Sequence, residues 1–251
     1  MQEKVAEDWL AESMKSLVVI PAYNEGQNID KLLNQLRESV SDCDVLVVDD
    51  CSSDNTVEVV AGIGVTQINL PCNLGYAFAL QTGLRYAVRY KYDAVVAMDG
   101  DGQHNPLDIP SLLAPVKRKD ADLVIGSRFV GSGDYRPPFG RAMAIKIFSH
   151  VVNLLTGQKI YDTSSGFKAM RIAVARALIA AHFVDFHAEA IVYLQRLGFQ
   201  IIERPVSFSK RVYGQSMYSL ASYVAYPTKT LLLALVALWE ARHHRTLGKQ
   251  L

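Results

Sequence analysis

Residues 17–25 read LVVIPAYNE and residues 45–54 read VLVVDDCSSD. Each starts with a continuous run of apolar side chains and then turns polar, which is the pattern of a strand buried on both faces of a sheet. Between them, apolar residues recur at helical spacing after a candidate N-cap at Asn28, namely Ile29, Leu32, Leu33 and Leu36. Strand, helix and strand in this order predict two parallel strands joined by a crossover helix.

The same alternation continues along the chain. Further buried runs lie at residues 65–70, 94–98 and 123–125, and a second helix is expected after Asp54 or Asn55. The sequence therefore predicts an α/β fold with a mostly parallel, doubly wound sheet. Ligands of such sheets bind beyond the carboxyl ends of the strands, where this chain has the polar stretches PAYNE, DDCSSD and DGDGQH.

Composition indicates one globular domain and argues against several classes of protein. The chain has 251 residues, half of them hydrophobic and a fifth charged, which excludes a disordered or low-complexity chain. The formal net charge is +1, so no basic field predicts nucleic acid as a partner. The charge is nevertheless distributed unevenly along the chain. Residues 206–251 carry six Lys or Arg and one Glu, so this C-terminal part is basic and residues 1–205 are acidic.

Cysteine usage and hydropathy predict a cytoplasmic location. Cys43, Cys51 and Cys72 form no CxxC pair, so neither a disulfide framework nor a zinc site is expected. The first residues, MQEKVAEDWLAESMKS, have acidic side chains and no apolar core, unlike a signal peptide. The most apolar run, residues 231–239, is far shorter than the ~20 residues of a spanning helix, so we expect no segment to cross a bilayer.

The stretch DGDGQH at residues 99–104 predicts a metal site. Asp99 and Asp101 are separated by one residue in a glycine-containing turn, so both carboxylates can face the same point. Two converging anions repel each other unless a cation lies between them, and Mg²⁺ or Mn²⁺ is the ion that carboxylates and phosphate oxygens hold. Gln103 adds a neutral oxygen. The alternative is an ordinary solvated acidic turn.

A carboxylate at Asp50 follows another strand at the same predicted edge and can accept hydrogen bonds from a base or a ribose. The alternative is that residues 50–54 only cap the next helix. The chain has neither a GxxxxGK[ST] loop nor a GxGxxG turn, which disfavours a P-loop NTPase and a dinucleotide dehydrogenase. The phosphates of a nucleotide would then be held mainly through metal.

Together these motifs resemble the inverting type A glycosyltransferases of family 2 and, among them, the polyprenyl (dolichyl) phosphate sugar transferases. The matching segments follow the family's order from about residue 16 to residue 220: PAYNE at 21–25, VDDCSSDNT at 48–56, NLG at 73–75, DGDGQH at 99–104, GSRF at 126–129, SGF at 165–167, RPV at 204–206, and residues 211–216. The resemblance implies a nucleotide-sugar-binding type A domain over residues 16–217. Residues 1–15 would be an N-terminal extension and residues 218–251 a C-terminal amphipathic, basic helical extension.

The resemblance also implies a role for each matching position. The nucleoside would be cradled by Pro21, Tyr23, Glu25, Val48 and Asp50, with Met98 also among the nucleotide-binding positions. Asp99, Asp101 and Gln103 would hold the metal on the diphosphate, while Arg128 and Arg211 would face the diphosphate or the acceptor phosphate. Met217 departs from the family pattern, which usually has Lys there. Asp162 is expected to organise a turn on the acceptor side.

The implied reaction is metal-dependent, inverting transfer of a hexose from a nucleotide diphosphate sugar to a polyprenyl phosphate, with GDP-mannose and UDP-glucose as the leading donors. Asp101 and Arg128 would stabilise the departing diphosphate, and a lipid phosphate needs no general base because it is already an anion. One alternative acceptor is a sugar hydroxyl, in polysaccharide or O-antigen synthesis, for which Glu189 is the candidate base. Glu189 can instead be a helix residue paired with Arg196. Another alternative is a catalytically silent nucleotide-sugar-binding protein, against which the complete metal set argues.

The C-terminal extension, residues 218–251, combines leucines with Tyr218, Tyr223, Tyr226 and Trp239, and Arg242-His-His-Arg245 follows. Apolar and aromatic residues beside cations predict a helix lying on an anionic membrane surface. We therefore expect a peripheral protein on the inner, cytoplasmic face of a membrane. The alternative is that the leucine-rich face packs on the sheet or on a second subunit. In the second case the protein would be a homo-oligomer.

Overall fold

The structure is a computed structural model that describes residues 14–131, 143, 149–150, 152–181, 186–209, 236 and 242. The predicted site residue Arg211 lies outside these residues, and so does the predicted C-terminal extension except for two isolated positions. Within the described ranges, no helix has both the length and the apolar character needed to cross a bilayer.

Seven strands of the described chain form one sheet. In chain order they are β1 (Ser16–Ala22), β2 (Cys43–Asp49), β3 (Thr66–Asn69), β4 (Ala94–Ala97), β5 (Leu123–Ser127), β6 (Lys168–Arg171) and β7 (Ile201–Pro205). Six of the helices are α1 (Ile29–Ser39), α2 (Thr56–Ile63), α3 (Tyr76–Arg89), α4 (Ile109–Lys117), α5 (Ile172–Ala180) and α6 (Ala188–Leu197). A short 3₁₀ turn, Pro106–Asp108, precedes α4.

The sheet has the order β3-β2-β1-β4-β6-β5-β7. β1 pairs in parallel with β2 and β4, β2 with β3, and β5 with β7, whereas β6 runs antiparallel between β4 and β5. The prediction of a mostly parallel, doubly wound α/β sheet is therefore confirmed. All five predicted strands are present, and β6 and β7 are additional.

Both faces of the sheet are covered, which explains the continuous apolar runs. Alternate residues of a strand point to opposite faces, so Val18 and Ile20 of β1 pack with α1 and α4, while Leu17 and Val19 pack with α3, α5 and α6. The pairing of Ala22 with Asp49 and of Val19 with Ala97 brings the carboxyl ends of β1, β2 and β4 to one edge. The polar stretches that follow these strands meet there, as predicted.

Candidate active site

The loops that follow β1 and β2 are hydrogen-bonded into one unit. Asn24 Oδ1 accepts the backbone N–H of Ser53 at 2.8 Å and of Asp54 at 3.3 Å. The backbone N–H of Glu25 donates to Thr56 Oγ1 at 2.9 Å. Asn24 has a φ of 54°, a left-handed conformation that asparagine tolerates better than most residues. These contacts explain why PAYNE and DDCSSD belong to the same site.

Asp50 fastens this unit to the NLG segment at residues 73–75. Its carboxylate is 3% exposed, and it accepts the backbone N–H groups of Leu74 and Gly75, both at 2.8 Å. Gly75 has a φ of 92° and precedes α3, so the turn that it makes requires a glycine. Asp50 therefore shapes the wall of the site and does not cap the next helix. A further contact from its remaining lone pairs to a nucleoside stays a prediction.

The other predicted nucleoside positions differ in their access to solvent. Tyr23 is 45% exposed at the end of β1, so its ring is available to a ligand. Glu25 is 8% exposed, and its Oε2 accepts the side-chain amide of Asn28 at 2.7 Å. Val48 and Met98 have no exposed surface, so in this structure they support the floor of the site and do not line it. Pro21 is also buried, in β1.

The Asp99 carboxylate, directly after β4, lies against Gly166 of the SGF segment. A Cβ at position 166 would collide with both carboxylate oxygens, so glycine is needed there to make room for them. This contact places the SGF segment in the same site as DGDGQH. Asp99 Oδ1 is buried and has no hydrogen-bond partner among the described residues. A buried carboxylate oxygen of this kind is costly unless a ligand satisfies it.

The residues around Asp99 fit a divalent cation. Asp101 Oδ1 accepts the backbone N–H of Gln103 at 3.0 Å, which folds the loop. Gln103 Nε2 donates to the Ser209 carbonyl at 3.1 Å, so the Gln103 Oε1 can act as a metal ligand. Hard oxygen ligands suit Mg²⁺ or Mn²⁺. Among the described residues, no group of three or more His, Cys, Asp or Glu could hold a metal by itself, so substrate oxygens and water would complete the coordination.

The segment after β7 supports the metal loop from the side. The backbone N–H of Ser209 donates to the Gln103 carbonyl at 2.8 Å. His104, 5% exposed, stacks on Phe167 with ring centroids 4.9 Å apart and meets Phe208 edge-on at 5.6 Å. Its Nδ1 is 4.0 Å from Asp99 Oδ2. These contacts give His104 a packing role beneath the loop.

Arg128, after β5, is held by Asp162. Its Nε and Nη2 donate to the two carboxylate oxygens, each at 2.7 Å, and its backbone N–H donates to Oδ2 at 3.0 Å. Nη2 also donates to Ser164 Oγ at 2.8 Å. Burial acts to raise the pKa of Asp162, but the hydrogen bonds and charge of Arg128 outweigh it and hold that pKa below its ordinary value. Asp162 therefore organises the Arg128 loop as well as its own, and contact of Arg128 with a phosphate stays a prediction.

Glu203 of β7 fixes the Asp162 loop in turn. Its two carboxylate oxygens accept the backbone N–H groups of Tyr161 and Asp162, both at 2.8 Å. Burial raises the pKa of Glu203 despite these bonds. The bidentate pair of Arg128 and Asp162 is thereby attached to a strand of the sheet, which gives the guanidinium a defined position.

Glu189 lies in the first turn of α6 and is 1% exposed. Its Oε1 accepts the backbone N–H of His187 at 3.1 Å, and the His187 ring stacks on Tyr76 at the start of α3, 6.3 Å between centroids. Arg196, at the other end of α6, donates to the Leu155 carbonyl at 2.8 Å. The role of Glu189 as a base stays a prediction.

Lys168 is a charged residue of the site that the sequence analysis did not single out. It is 7% exposed, and its Nζ donates to the Phe186 carbonyl at 2.7 Å. Burial lowers the pKa of Lys168 to about 8, and the nearby carboxylates of Glu189, Asp99 and Asp162 oppose part of that shift. Its position directly after the SGF segment was the one feature of the sequence that could have indicated a role in the site.

Solved structures share this fold. Glucosyl-3-phosphoglycerate synthase from Mycobacterium tuberculosis, in complex with Mn²⁺, uridine-diphosphate and phosphoglyceric acid, matches with a TM-score of 0.70 at 19% identity, covering 93% of this chain and 82% of that chain. The same enzyme with Mn²⁺ and uridine-diphosphate-glucose matches with a TM-score of 0.66 at 19% identity, with the same coverage. At this identity the likeness shows the fold alone, and it confirms the type A glycosyltransferase fold.

Curated relatives match most of the chain. Undecaprenyl-phosphate mannosyltransferase from Micrococcus luteus is 32% identical over 242 residues, which is 92% of this chain and 99% of that protein. Polyprenol monophosphomannose synthase from Mycolicibacterium smegmatis is 28% identical over 218 residues, 82% of each chain. UDP-N-acetylglucosamine–dolichyl-phosphate N-acetylglucosaminyltransferase from Methanococcus voltae is 28% identical over 225 residues, 81% of this chain and 87% of that protein.

The family assignment rests on a further match. The model of glycosyl transferase family 2 matches residues 17–179, which run from β1 into α5 and include the Asp99, Asp101 and Arg128 loops. The motif order, the fold and the relatives agree with this match. The chain is a glycosyltransferase and belongs to glycosyl transferase family 2.

Proposed function

We propose that this glycosyltransferase transfers a hexose, with inversion and with a divalent metal, from a nucleotide diphosphate sugar to a polyprenyl phosphate. Relatives named for undecaprenyl-phosphate, polyprenol and dolichyl-phosphate acceptors support a lipid phosphate as the acceptor. Mannose is the first sugar to test, because two of these relatives are named for mannose transfer. GDP-mannose is therefore the leading donor and UDP-glucose the second.

The donor half of the site would hold the diphosphate. Asp99, Asp101 and Gln103 would hold Mg²⁺ or Mn²⁺ on the diphosphate oxygens. A bound ion would offset the negative charge that develops as the diphosphate departs. Arg128 supports the same half, since a cation fixed by Asp162 stabilises developing charge without reorganisation during the reaction.

One observation favours a phosphate acceptor over a hydroxyl acceptor: Glu189 is 1% exposed, and its charge acts on the buried ammonium of Lys168. A carboxylate this buried presents almost no surface to an acceptor hydroxyl, and its Oε1 already accepts the backbone N–H of His187. A hydroxyl acceptor needs a base within hydrogen-bond reach, whereas a lipid phosphate does not. The site is therefore better suited to an acceptor that arrives already ionised.

The acceptor would meet the protein at the cytoplasmic surface of a membrane. The aromatic and basic side chains of the predicted C-terminal extension support peripheral binding there. That extension remains a prediction from sequence, as does a homo-oligomer formed through it. Loss of binding to anionic vesicles on removal of residues 218–251 would be expected.

A comparison of two acceptors tests the proposal. Wild-type protein and Glu189→Gln are assayed with labelled donor against polyprenyl phosphate and against a sugar with a free hydroxyl. We expect transfer to the lipid phosphate, an inverted anomeric configuration in the product, and little loss in Glu189→Gln. Transfer only to the hydroxyl, with a loss of about 10²-fold or more in the variant, would contradict the lipid acceptor and make Glu189 the base.

A further inference from the structure

Lys168 is a buried cation near the carboxyl ends of β4 and β5, where the site lies. It is the first residue of β6 and pairs with Ala97 of β4 and Ile125 of β5, which precede the loops of Asp99 and Arg128. Its neighbours Phe167 and Ala169 pack on the α1 and α4 face. Because side chains alternate along a strand, Lys168 points to the opposite face, which α3, α5 and α6 cover.

The ammonium of Lys168 holds the chain just before α6. Its Nζ donates to the carbonyl of Phe186, two residues ahead of the first residue of α6. Three carboxylates act on the Lys168 ammonium by their charge, and the effect of Glu189 is larger than those of Asp99 and Asp162. Lys168 thus contacts the turn of residues 186–189 by a hydrogen bond and by charge.

A charge at this position needs a reason. β6 is an interior strand, and the flanking Ala97, Ile125 and Met170 form part of the apolar core. A methionine at position 168 would fill similar space without the desolvation cost of an ammonium. The charges around Lys168 belong to the loops of Asp99, Arg128 and Asp162 and to α6, so the cation lies where these elements meet.

We propose that Lys168 is a positioning residue for the acceptor side of the site: its ammonium fixes the turn of residues 186–189 and with it the place of Glu189 and the start of α6. Lys168 takes no covalent part in transfer. The inference rests on the proposed function for its kinetic consequence, but its structural consequence is independent of which acceptor is used.

The kinetic test uses Lys168→Met with Arg171→Met as the matched control. Arg171 lies at the other end of β6 and pairs with Asp122 at 2.7 Å, with its side chain 41% exposed. We expect Lys168→Met to lower kcat for transfer to polyprenyl phosphate by about 10-fold or more while the donor KM changes less than about twofold. The reason is that the turn of residues 186–189 and the start of α6 would shift, whereas Glu189→Gln leaves both in place. Arg171→Met should keep wild-type kcat and KM. A wild-type kcat in Lys168→Met would overturn the inference.

Amide hydrogen exchange gives a readout that needs no acceptor. In Lys168→Met, peptides covering residues 186–197 should exchange about 10-fold faster, while peptides covering α1, Ile29–Ser39, should not change. Unchanged exchange at 186–197 would overturn the inference, and so would an equal rise in α1, because it would show only a loss of global stability. If the wild-type protein transfers sugar to no polyprenyl phosphate, the proposed function fails, yet the exchange result still decides the role of Lys168.

A double variant covers the case in which Lys168→Met does not fold. Loss of the lysine removes a positive charge that acts on the buried Glu189 carboxylate, which is destabilising. Lys168→Met/Glu189→Gln removes both charges and this penalty, but it still lacks the hydrogen bond to Phe186. Faster exchange at residues 186–197 in the double variant than in Glu189→Gln alone supports the inference, and equal exchange overturns it.

Discussion

Replacing Asp162 with asparagine should reveal how strongly the pair of Arg128 and Asp162 holds the site together. The substitution keeps the shape of the side chain but removes its charge. The Arg128 and Asp162 side chains are 5% and 0% exposed, and two short hydrogen bonds join them. Removing one partner of a buried ion pair costs about 3–5 kcal/mol of folding free energy.

For a chain of this size, that cost corresponds to a fall in the thermal midpoint of roughly 6–20 °C. The matched control is Asp120→Asn, because Asp120 forms an ion pair with Arg118 in which both side chains are more than half exposed. An exposed pair contributes at most about 1 kcal/mol, so the control should shift the midpoint by no more than a few degrees. Thermal unfolding followed by circular dichroism measures both.

The pH dependence of unfolding is a second test of the pair of Arg128 and Asp162. The pKa of Asp162 is lower in the folded protein than its ordinary value, which is near 4. The ion pair therefore contributes its full stabilisation at pH values above about 4. This contribution is lost as the pH falls through the lowered pKa. Asp162→Asn should lack this part of the acid destabilisation, so its deficit relative to wild type should shrink toward low pH. Equal midpoints for the two variants at neutral pH, or a deficit that does not shrink in acid, would show that the pair of Arg128 and Asp162 does not stabilise the fold in this way.

Three further substitutions test the donor half of the site. Gly166→Ala should displace the Asp99 carboxylate and weaken activation by Mn²⁺ about 10-fold in a metal titration of turnover, whereas Gly62→Ala, which meets no atom within 4 Å, should not. Arg128→Ala should chiefly weaken phosphate binding, and unchanged apparent affinities for both donor and acceptor would count against that role. Asp50→Ala should loosen the turn before α3 and raise the donor KM in initial-rate assays, while unaltered nucleotide binding would argue against it.

Apolar runs predicted the parallel part of the sheet because a strand covered on both faces needs no polar residue until it reaches the edge. β1, β2 and β4 all end within three residues of the predicted points. β6 and β7 gave no such signal. Lys168–Arg171 has a charge at each end, and Ile201–Pro205 contains Glu203 and Arg204, so neither forms a continuous apolar run.

Motifs located the loops of the site but did not show which side chains pair. The sequence placed Asp50, Asp99 and Arg128 after strands, yet the hydrogen bonds of Asp50 to residues 74 and 75 and of Arg128 to Asp162 join loops that are 24 or more residues apart. Such contacts depend on tertiary structure, and no local spacing reports them. Lys168 directly follows the SGF segment, but its carboxylate neighbours come from distant segments, so the sequence did not show its surroundings.

Metal-dependent transfer of sugar to a lipid phosphate is the activity that we propose for this protein. The most direct measurement is transfer of labelled sugar from GDP-mannose and UDP-glucose into an organic-extractable product, with short polyprenyl phosphate, Mg²⁺ or Mn²⁺, and Asp101→Ala as the blank. Asp120→Ala, at the surface pair with Arg118, serves as the matched control. The expected result is metal-dependent label in the lipid phase for wild type and Asp120→Ala and none for Asp101→Ala. Metal-dependent nucleotide binding without any lipid product, or full activity in Asp101→Ala, would contradict it.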